Sequence, residues 1–222
     1  MADISFLFSW LNVLQREVLR RRMLLTGLLK ISEWAVFGGW LILLGLYVSG
    51  MFTSVSLLLE LGETFGTLAF ALYIATLIPS MVRRLKIREL FPIMSMFLPF
   101  RRQFGVLMFI TAFIHQSFTT MLPALVLVEF DFAKFPSPLM ARQIFGYIAW
   151  WLLFPLWLTS NDLAIKKMGK WWKILHKLTY VALFIIMMHV ALVGGWNYVF
   201  ALLVIVIGNV VGLIKSFYGK KS

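Results

Sequence analysis

The sequence predicts an all-α membrane protein. It is a six-helix transmembrane bundle with an N-terminal amphipathic helix in the membrane interface, and both termini are cytoplasmic. Three observations carry that expectation. The 222 residues are 61% hydrophobic with a mean hydropathy of +0.90, whereas soluble domains are roughly half apolar. The apolar residues fall into six runs, each near the ~20 residues a helix needs to cross lipid. The basic residues crowd onto alternate connections, as the positive-inside rule requires.

The first element is the amphipathic one. Ile4, Leu7, Phe8, Leu11, Leu14 and Val18 share one helical face, while Asp3, Asn12, Arg16 and Arg20 lie largely off it. Such a helix lies along a membrane surface rather than crossing it. A cleaved signal peptide places its charges before the apolar run and ends in small residues. Here the basic cluster follows the run, so no cleavage is expected. Residues 1–29 form this interfacial segment and residues 30–222 the transmembrane domain.

Spans are expected at 31–50, 62–82, 104–127, 140–159, 174–193 and 196–214. The runs are continuous rather than alternating, which argues for helices rather than a closed barrel, the other architecture that satisfies the backbone in lipid. The N-terminal segment carries five basic residues (Arg16, Arg20, Arg21, Arg22, Lys30). The connection between spans two and three carries six (Arg83, Arg84, Lys86, Arg88, Arg101, Arg102). The connection between spans four and five carries five (Lys166, Lys167, Lys170, Lys173, Lys177), and the C-terminus three (Lys215, Lys220, Lys221). Nineteen of the 21 Lys and Arg thus lie on one side, and only Lys134 and Arg142 on the other. The net charge of +12 therefore records topology and attraction to anionic lipid, not a nucleic-acid footprint. Trp171 and Trp172 open the fifth span, and Trp196 and Tyr198 follow its far end, at the headgroup levels such rings prefer. The expected location is a bacterial-type inner membrane.

The chain has no cysteine. That excludes disulfides, thiolate-ligated haem, Cys-held iron–sulfur clusters and c-type haem attachment. A redox cofactor would have to be held by His, Met or packing. The chain has three histidines, His115, His176 and His189, all in or at the edge of a span, where ionisable side chains are rare and usually functional. A neutral imidazole is the usual axial ligand of b-type haem; a structural hydrogen bond to a neighbouring helix is the alternative. Depth favours the ligand. His115 lies 13 residues beyond Arg102 and His189 12 beyond Lys177. Both imidazoles then sit roughly 18–20 Å above the basic interface at ~1.5 Å per residue. Spans three and five run in the same direction, so the two rings can clamp one iron. Met187 and Met188 flank His189 as packing residues.

His176 lies 13 residues before His189, about 20 Å lower and some 140° around an ideal helix. It is a candidate ligand for a second, inner haem. The third span offers Arg101 and Arg102 at that level rather than another His. Arg101 could pair with a haem propionate or a flavin phosphate, or anchor the span at the headgroups.

The stretch from Leu158-Thr-Ser through Lys167-Met-Gly-Lys-Trp-Trp-Lys-Ile-Leu-His176 to Tyr180, followed by Met187-Met-His189, resembles the ferric reductase-like transmembrane domain family. Within that family it resembles the MsrQ branch, the haem-bearing membrane subunits of periplasmic methionine sulfoxide reductase systems. Arg101-Arg-Gln-Phe-Gly105 with Phe113-Ile-His115 is a second match, and Leu77-Ile-Pro79 a weaker third. The resemblance covers about residues 62–195. It implies haem b between the third and fifth helices, with His115 and His189 as ligands of the outer haem and His176 as a candidate ligand of an inner one. Arg101 stands where oxidases of the superfamily have their fourth His. One or two haems follow, with FMN, FAD or quinone as further candidates.

No dinucleotide fingerprint is present, so the expected donor is a cytoplasmic flavin reductase or a membrane quinol. The acceptor is an outer-side redox protein or a small oxidant. Two other classes remain. A His-lined proton or ion transporter needs mid-span carboxylates, yet Glu33, Glu60, Glu63, Glu129 and Asp131 lie near span ends. A cofactor-free membrane anchor would purify colourless.

Overall fold

The structure, a computed structural model, describes residues 4–51, 54–122 and 137–218. Glu129, Asp131, Lys134, Lys220, Lys221 and the last five residues of the expected third span lie outside the described residues.

Among the described residues every regular element is helical. Helix α1 covers Ile4–Arg20 and α2 covers Arg22–Val48, with a break at Arg21. The first spanning helix therefore starts inside the segment expected to be interfacial. Helix α3 covers Val55–Leu85, α4 Phe91–Phe97 and α5 Arg101–Gln116. Three-residue 3₁₀ turns flank α4, and α5 runs on into a π-helical turn, Ser117–Met121. Helix α6 is Ser137–Leu158, α7 Asp162–Met168, α8 Lys170–Leu175, α9 Leu178–Leu192 and α10 Trp196–Tyr218.

Five stretches are long and apolar enough to cross a membrane: α2, α3, the run ending in α5 and its π-turn, α8 with α9, and α10. Helix α6 with the bent segment that follows it gives a sixth candidate crossing. Beyond Leu158 the chain bends by 87° into α7. The chain is an integral, multi-pass membrane protein.

Local chemistry sets the boundaries. The Ser54 hydroxyl accepts from the Leu57 N–H at 3.4 Å and caps α3. Lys86 ends α3 in the left-handed region, φ +55°, with its N–H on the Val82 carbonyl. Asn161 caps α7 by accepting from the Ala164 N–H at 2.8 Å. Gly169, φ +52°, separates α7 from α8 in a conformation that side chains with a Cβ rarely adopt. Pro79 sits inside α3 and is fully buried; neighbouring helices support such a residue in a membrane span.

Helices α3, α5, α6 and α9 form the heart of the bundle. Helix α3 packs along α5, α6 along α9, and α10 closes against α3 and α9. Their shared core includes Tyr73, Leu77, Phe109, Leu153, Ala182 and Leu202. The Tyr73 hydroxyl donates to the Thr179 carbonyl at 2.6 Å, tying α3 to α9 across the core. Helix α2 is peripheral and has no fully buried residue. It attaches to α5 through Trp40, whose indole N–H donates to Ser117 Oγ at 2.9 Å and whose ring meets Phe113 edge-on. Helix α1 packs against α4. Trp34, Phe200, Val204 and Ile207 point outward, which is the expected face toward lipid.

Candidate functional site

His115 and His189 meet. Their ring centres lie 6.2 Å apart, with the ring planes at 77°. Each ring is held from behind. His115 Nδ1 is 2.8 Å from the Gly62 carbonyl of α3, and His189 Nδ1 is 2.9 Å from the Arg142 carbonyl of α6. A carbonyl can only accept, so in each ring Nδ1 carries the proton and Nε2 keeps its lone pair. A metal-binding imidazole is usually held in this way, its other ring N–H bonded to a carbonyl or carboxylate.

Glycine on the facing helices makes those contacts possible. A Cβ at Gly66 would lie 2.6 Å from His115 Nδ1, closer than real Cβ atoms come. A Cβ at Gly146 would lie 3.1 Å from His189 Cε1 and 3.3 Å from Gln116 Oε1. At Gly62 it would lie 2.8 Å from Thr119 Cγ2. The missing side chains let α3 and α6 approach the two rings closely enough to offer backbone carbonyls.

The rings border a partly open cavity of about 390 Å³ lined by α3, α5, α6, α9 and the start of α10. Its lower wall is apolar, with Tyr73, Met108 and Leu153. Its other end carries Glu63, Thr67, Arg142 and Tyr198. Two buried donors facing the cavity have no acceptor among the described residues, Gln116 Nε2 and Trp150 Nε1. Phe109 stacks between Trp150 and Trp157 at 5.5 and 4.8 Å and stiffens the α5–α6 wall.

The fit to a metal held by both rings can be checked numerically. A metal–imidazole bond of about 2.0–2.1 Å plus about 1.2 Å from nitrogen to ring centre would put the ring centres of two imidazoles sharing one metal about 6.4–6.6 Å apart. The two rings lie 6.2 Å apart, a few tenths of an ångström inside that span. Small residues beside the rings, Gly66, Ala69, Ala112, Gly146 and Ala149, leave room for a flat macrocycle. The donor set therefore fits a bis-histidine haem.

His176 is placed differently. It ends α8, stacks on Trp172 at 4.0 Å, and has Nε2 3.3 Å from the Thr159 hydroxyl. The same hydroxyl donates to the Pro155 carbonyl at 2.7 Å, and Trp172 Nε1 donates to the Thr159 carbonyl at 2.9 Å. The helix breaks between α8 and α9, so the 140° offset of a straight helix does not apply. His176 lines neither described cavity. Arg101 lies within electrostatic reach of His176, Arg83 and Arg84. Among the described residues it has no carboxylate within ion-pair distance. Arg84 donates to Asn209 Oδ1 at 3.0 Å and lies 5.0 Å over the Tyr180 ring.

The profile of the ferric reductase like transmembrane component family matches residues 65–187, more than half of the chain; the match includes His115 and ends two residues before His189. The chain belongs to that family. Its relatives include proteins named protein-methionine-sulfoxide reductase heme-binding subunit MsrQ. The one from Brucella anthropi is 36% identical over 89 residues, covering 39% of this chain and 39% of the relative. Those from Brucella ovis and Brucella canis are 38% identical over 89 residues, covering 39% of this chain and 38% of each relative. The matched region thus spans well under half the length of these relatives. No solved structure matches the chain.

Gly62, Gly66, Gly146, Gln116 and Trp150 were not singled out from the sequence. The glycines carried a readable signal, since small residues in apolar spans mark close helix contacts. Gln116 and Trp150 carried none until the cavity was known.

Proposed function

We propose that this member of the family is a haem b-binding electron carrier that moves electrons from the cytoplasmic side of the membrane to the outer side. It acts as the electron-transfer subunit of an oxidoreductase, a reading supported by relatives that are named heme-binding subunits of protein-methionine-sulfoxide reductase. The observation behind this reading is the pair of rings, His115 and His189, 6.2 Å apart across a cavity. Bound there, haem supplies one-electron iron chemistry.

The chain's own residues do the rest. The Gly62 and Arg142 carbonyls fix both imidazoles as Nδ1–H tautomers, aim Nε2 inward and raise its basicity. Tyr73, Met108 and Leu153 exclude water from the lower wall, and burial of this kind tunes a redox potential. Arg142 offers a cation at the opposite end for carboxylate groups. With the basic face taken as cytoplasmic, that end opens toward the outer side, where a redox protein or a small oxidant collects electrons. Inside, the donor is a cytoplasmic flavoprotein or a membrane quinol. Arg101, close to Arg83 and Arg84, provides positive charge for an acidic partner or a flavin phosphate. One haem is the assignment. The hydrogen bond from His176 Nε2 to Thr159 favours a structural role for His176 over an inner-haem ligand.

The test is the visible spectrum of detergent-purified protein. A Soret band with α and β bands after dithionite is expected. His115→Ala and His189→Ala should each abolish it. Full haem content in both variants would overturn the assignment.

A further inference from the structure

The cavity beside the histidine pair holds more hydrogen-bond donors than its own residues use. Along the α3 wall the polar side chains are engaged. The Tyr73 hydroxyl donates to the Thr179 carbonyl at 2.6 Å, and the Thr67 hydroxyl lies 3.2 Å from both the Glu63 carbonyl and the Tyr198 hydroxyl. In the π-turn the Thr119 hydroxyl donates to the His115 carbonyl at 2.7 Å. The wall between α5 and α6 differs. Gln116 is only 5% exposed, yet its Nε2 has no acceptor among the described residues. The buried Trp150 Nε1 has none either. The Arg142 guanidinium has no carboxylate within ion-pair distance among the described residues. All three side chains line the cavity that His115 and His189 border. A buried donor without an acceptor is costly, and in native structures such a group usually serves a ligand or a water.

We infer, on the basis of the haem reading above, that Gln116, Trp150 and Arg142 form a clamp for the two haem carboxylates, so that the propionate edge lies along α6 and the macrocycle has a single seating. An indole N–H and a guanidinium only donate, so their ligand must bring acceptors. The propionates are the peripheral acceptors of haem b. Charge points the same way. Arg142 supplies a cation on α6, whereas Glu63 stands on α3 at the same end of the cavity and repels a carboxylate from that wall. Spacing allows two carboxylates. Arg142 and Trp150 are eight residues apart on α6, about 12 Å of rise, so one carboxylate meets Arg142 and the other meets Gln116 and Trp150. The opposite edge of the ring is left to Ala69, Phe70 and Tyr73 of α3.

The clamp is held in place by groups that do not titrate or swing. Gln116 follows the ligand His115 directly and reaches α6, where a Cβ at Gly146 would lie 3.3 Å from its Oε1. Trp150, one turn along α6 from Gly146, is fixed by its stack on Phe109 at 5.5 Å. Arg142 serves twice. Its backbone carbonyl holds His189 Nδ1 at 2.9 Å, and its side chain holds a carboxylate. The same turn of α6 therefore sets both the orientation of one axial ligand and the seating of the haem edge.

The test compares two porphyrins on purified full-length apoprotein in detergent: ferric protohaem and its dimethyl ester, which keeps the iron, ring and vinyl groups but carries no carboxylate. Affinities are read from Soret titrations. The ratio of the two affinities is then compared between proteins, which cancels the detergent's own preference for the ester. Gln116→Leu, Trp150→Phe and Arg142→Gln are each expected to lower the preference for the free acid by at least about tenfold, the worth of a hydrogen bond to a charged group. The ester should bind each variant as it binds the parent protein, because Arg142→Gln keeps the carbonyl on His189 and Trp150→Phe keeps the ring stack. Equal loss of both porphyrins in the variants would mark a scaffold role, and unchanged ratios in all three would leave the donors to water. Either result overturns the clamp and leaves the haem assignment standing. A parent protein that binds neither porphyrin would instead defeat the haem assignment itself.

Discussion

Replacing Gly66 by Ala tests how tightly the bundle fixes a haem ligand. The new Cβ would lie 2.6 Å from His115 Nδ1 and 2.9 Å from Cε1, whereas ordinary van der Waals contact begins at 3.4 Å. The clash therefore demands a shift of about 0.8 Å, several times the ±0.2 Å tolerance of a ligand distance. The ring cannot swing away freely, because Nδ1 is tied to the Gly62 carbonyl one turn along α3. Overpacking of this kind costs about 1–3 kcal/mol, roughly 5- to 150-fold in haem affinity if it falls on the bound form. Haem titration of the purified apoprotein, with pyridine haemochrome for stoichiometry, measures it directly. Gly105→Ala, on α5 with nothing within 4 Å of its Cβ position, serves as the control and should bind haem normally. Equal affinity and unchanged spectra for Gly66→Ala and the parent protein would refute the geometry proposed for His115.

Other substitutions separate ligand from scaffold. His176→Ala should retain the haem spectrum and lose about 1 kcal/mol of stability with its hydrogen bond and Trp172 stack, measured by thermal unfolding in detergent. Tyr73→Phe removes the 2.6 Å bond to the Thr179 carbonyl and should lower stability by about 0.5–1.5 kcal/mol without changing the Soret position. Trp40→Phe removes the bond to Ser117 and should loosen α2, seen as faster hydrogen exchange in residues 22–48 with haem content intact.

The fold was legible to the extent that hydropathy writes it. Of six expected apolar runs, five are helices long and apolar enough to cross on their own and the fourth becomes a bent pair; they are helical because the backbone in lipid has few alternatives. Boundaries moved where helix outlasts the apolar run. Helix α2 starts at Arg22 rather than near 31, and α3 at Val55 rather than 62, since a helix need not stop at the membrane surface and long basic side chains can snorkel. The connection with Arg88, Arg101 and Arg102 was counted only for its charge. It contains α4 and two 3₁₀ turns, with Pro92 at the start of α4 and Pro99 at the start of the second turn. Neither the π-turn after His115 nor the bend at Thr159–Asn161 leaves a periodicity to read.

The site was legible in depth and not in direction. The similar spacing of His115 and His189 from Arg102 and Lys177, 13 and 12 residues, placed both rings at one level, and they do face each other. Which way each imidazole turns depends on carbonyls of Gly62 and Arg142, 53 and 47 residues away in sequence, and local sequence carries no record of such partners. For His176 the sequence offered a ligand or a structural residue, and the contact with Thr159, invisible in the sequence, is what the proposed structural role rests on. Gln103 entered the sequence reading only as part of the Arg101–Gly105 match; its unpaired oxygen emerges from the packing around it.

The sharpest measurement is low-temperature EPR of the ferric protein as purified. Two imidazoles with planes at 77° leave the iron π-orbitals nearly degenerate, so one strongly anisotropic low-spin signal is expected, integrating to one iron per chain. A high-spin signal, or no haem iron at all, would mean that His115 and His189 do not share a metal.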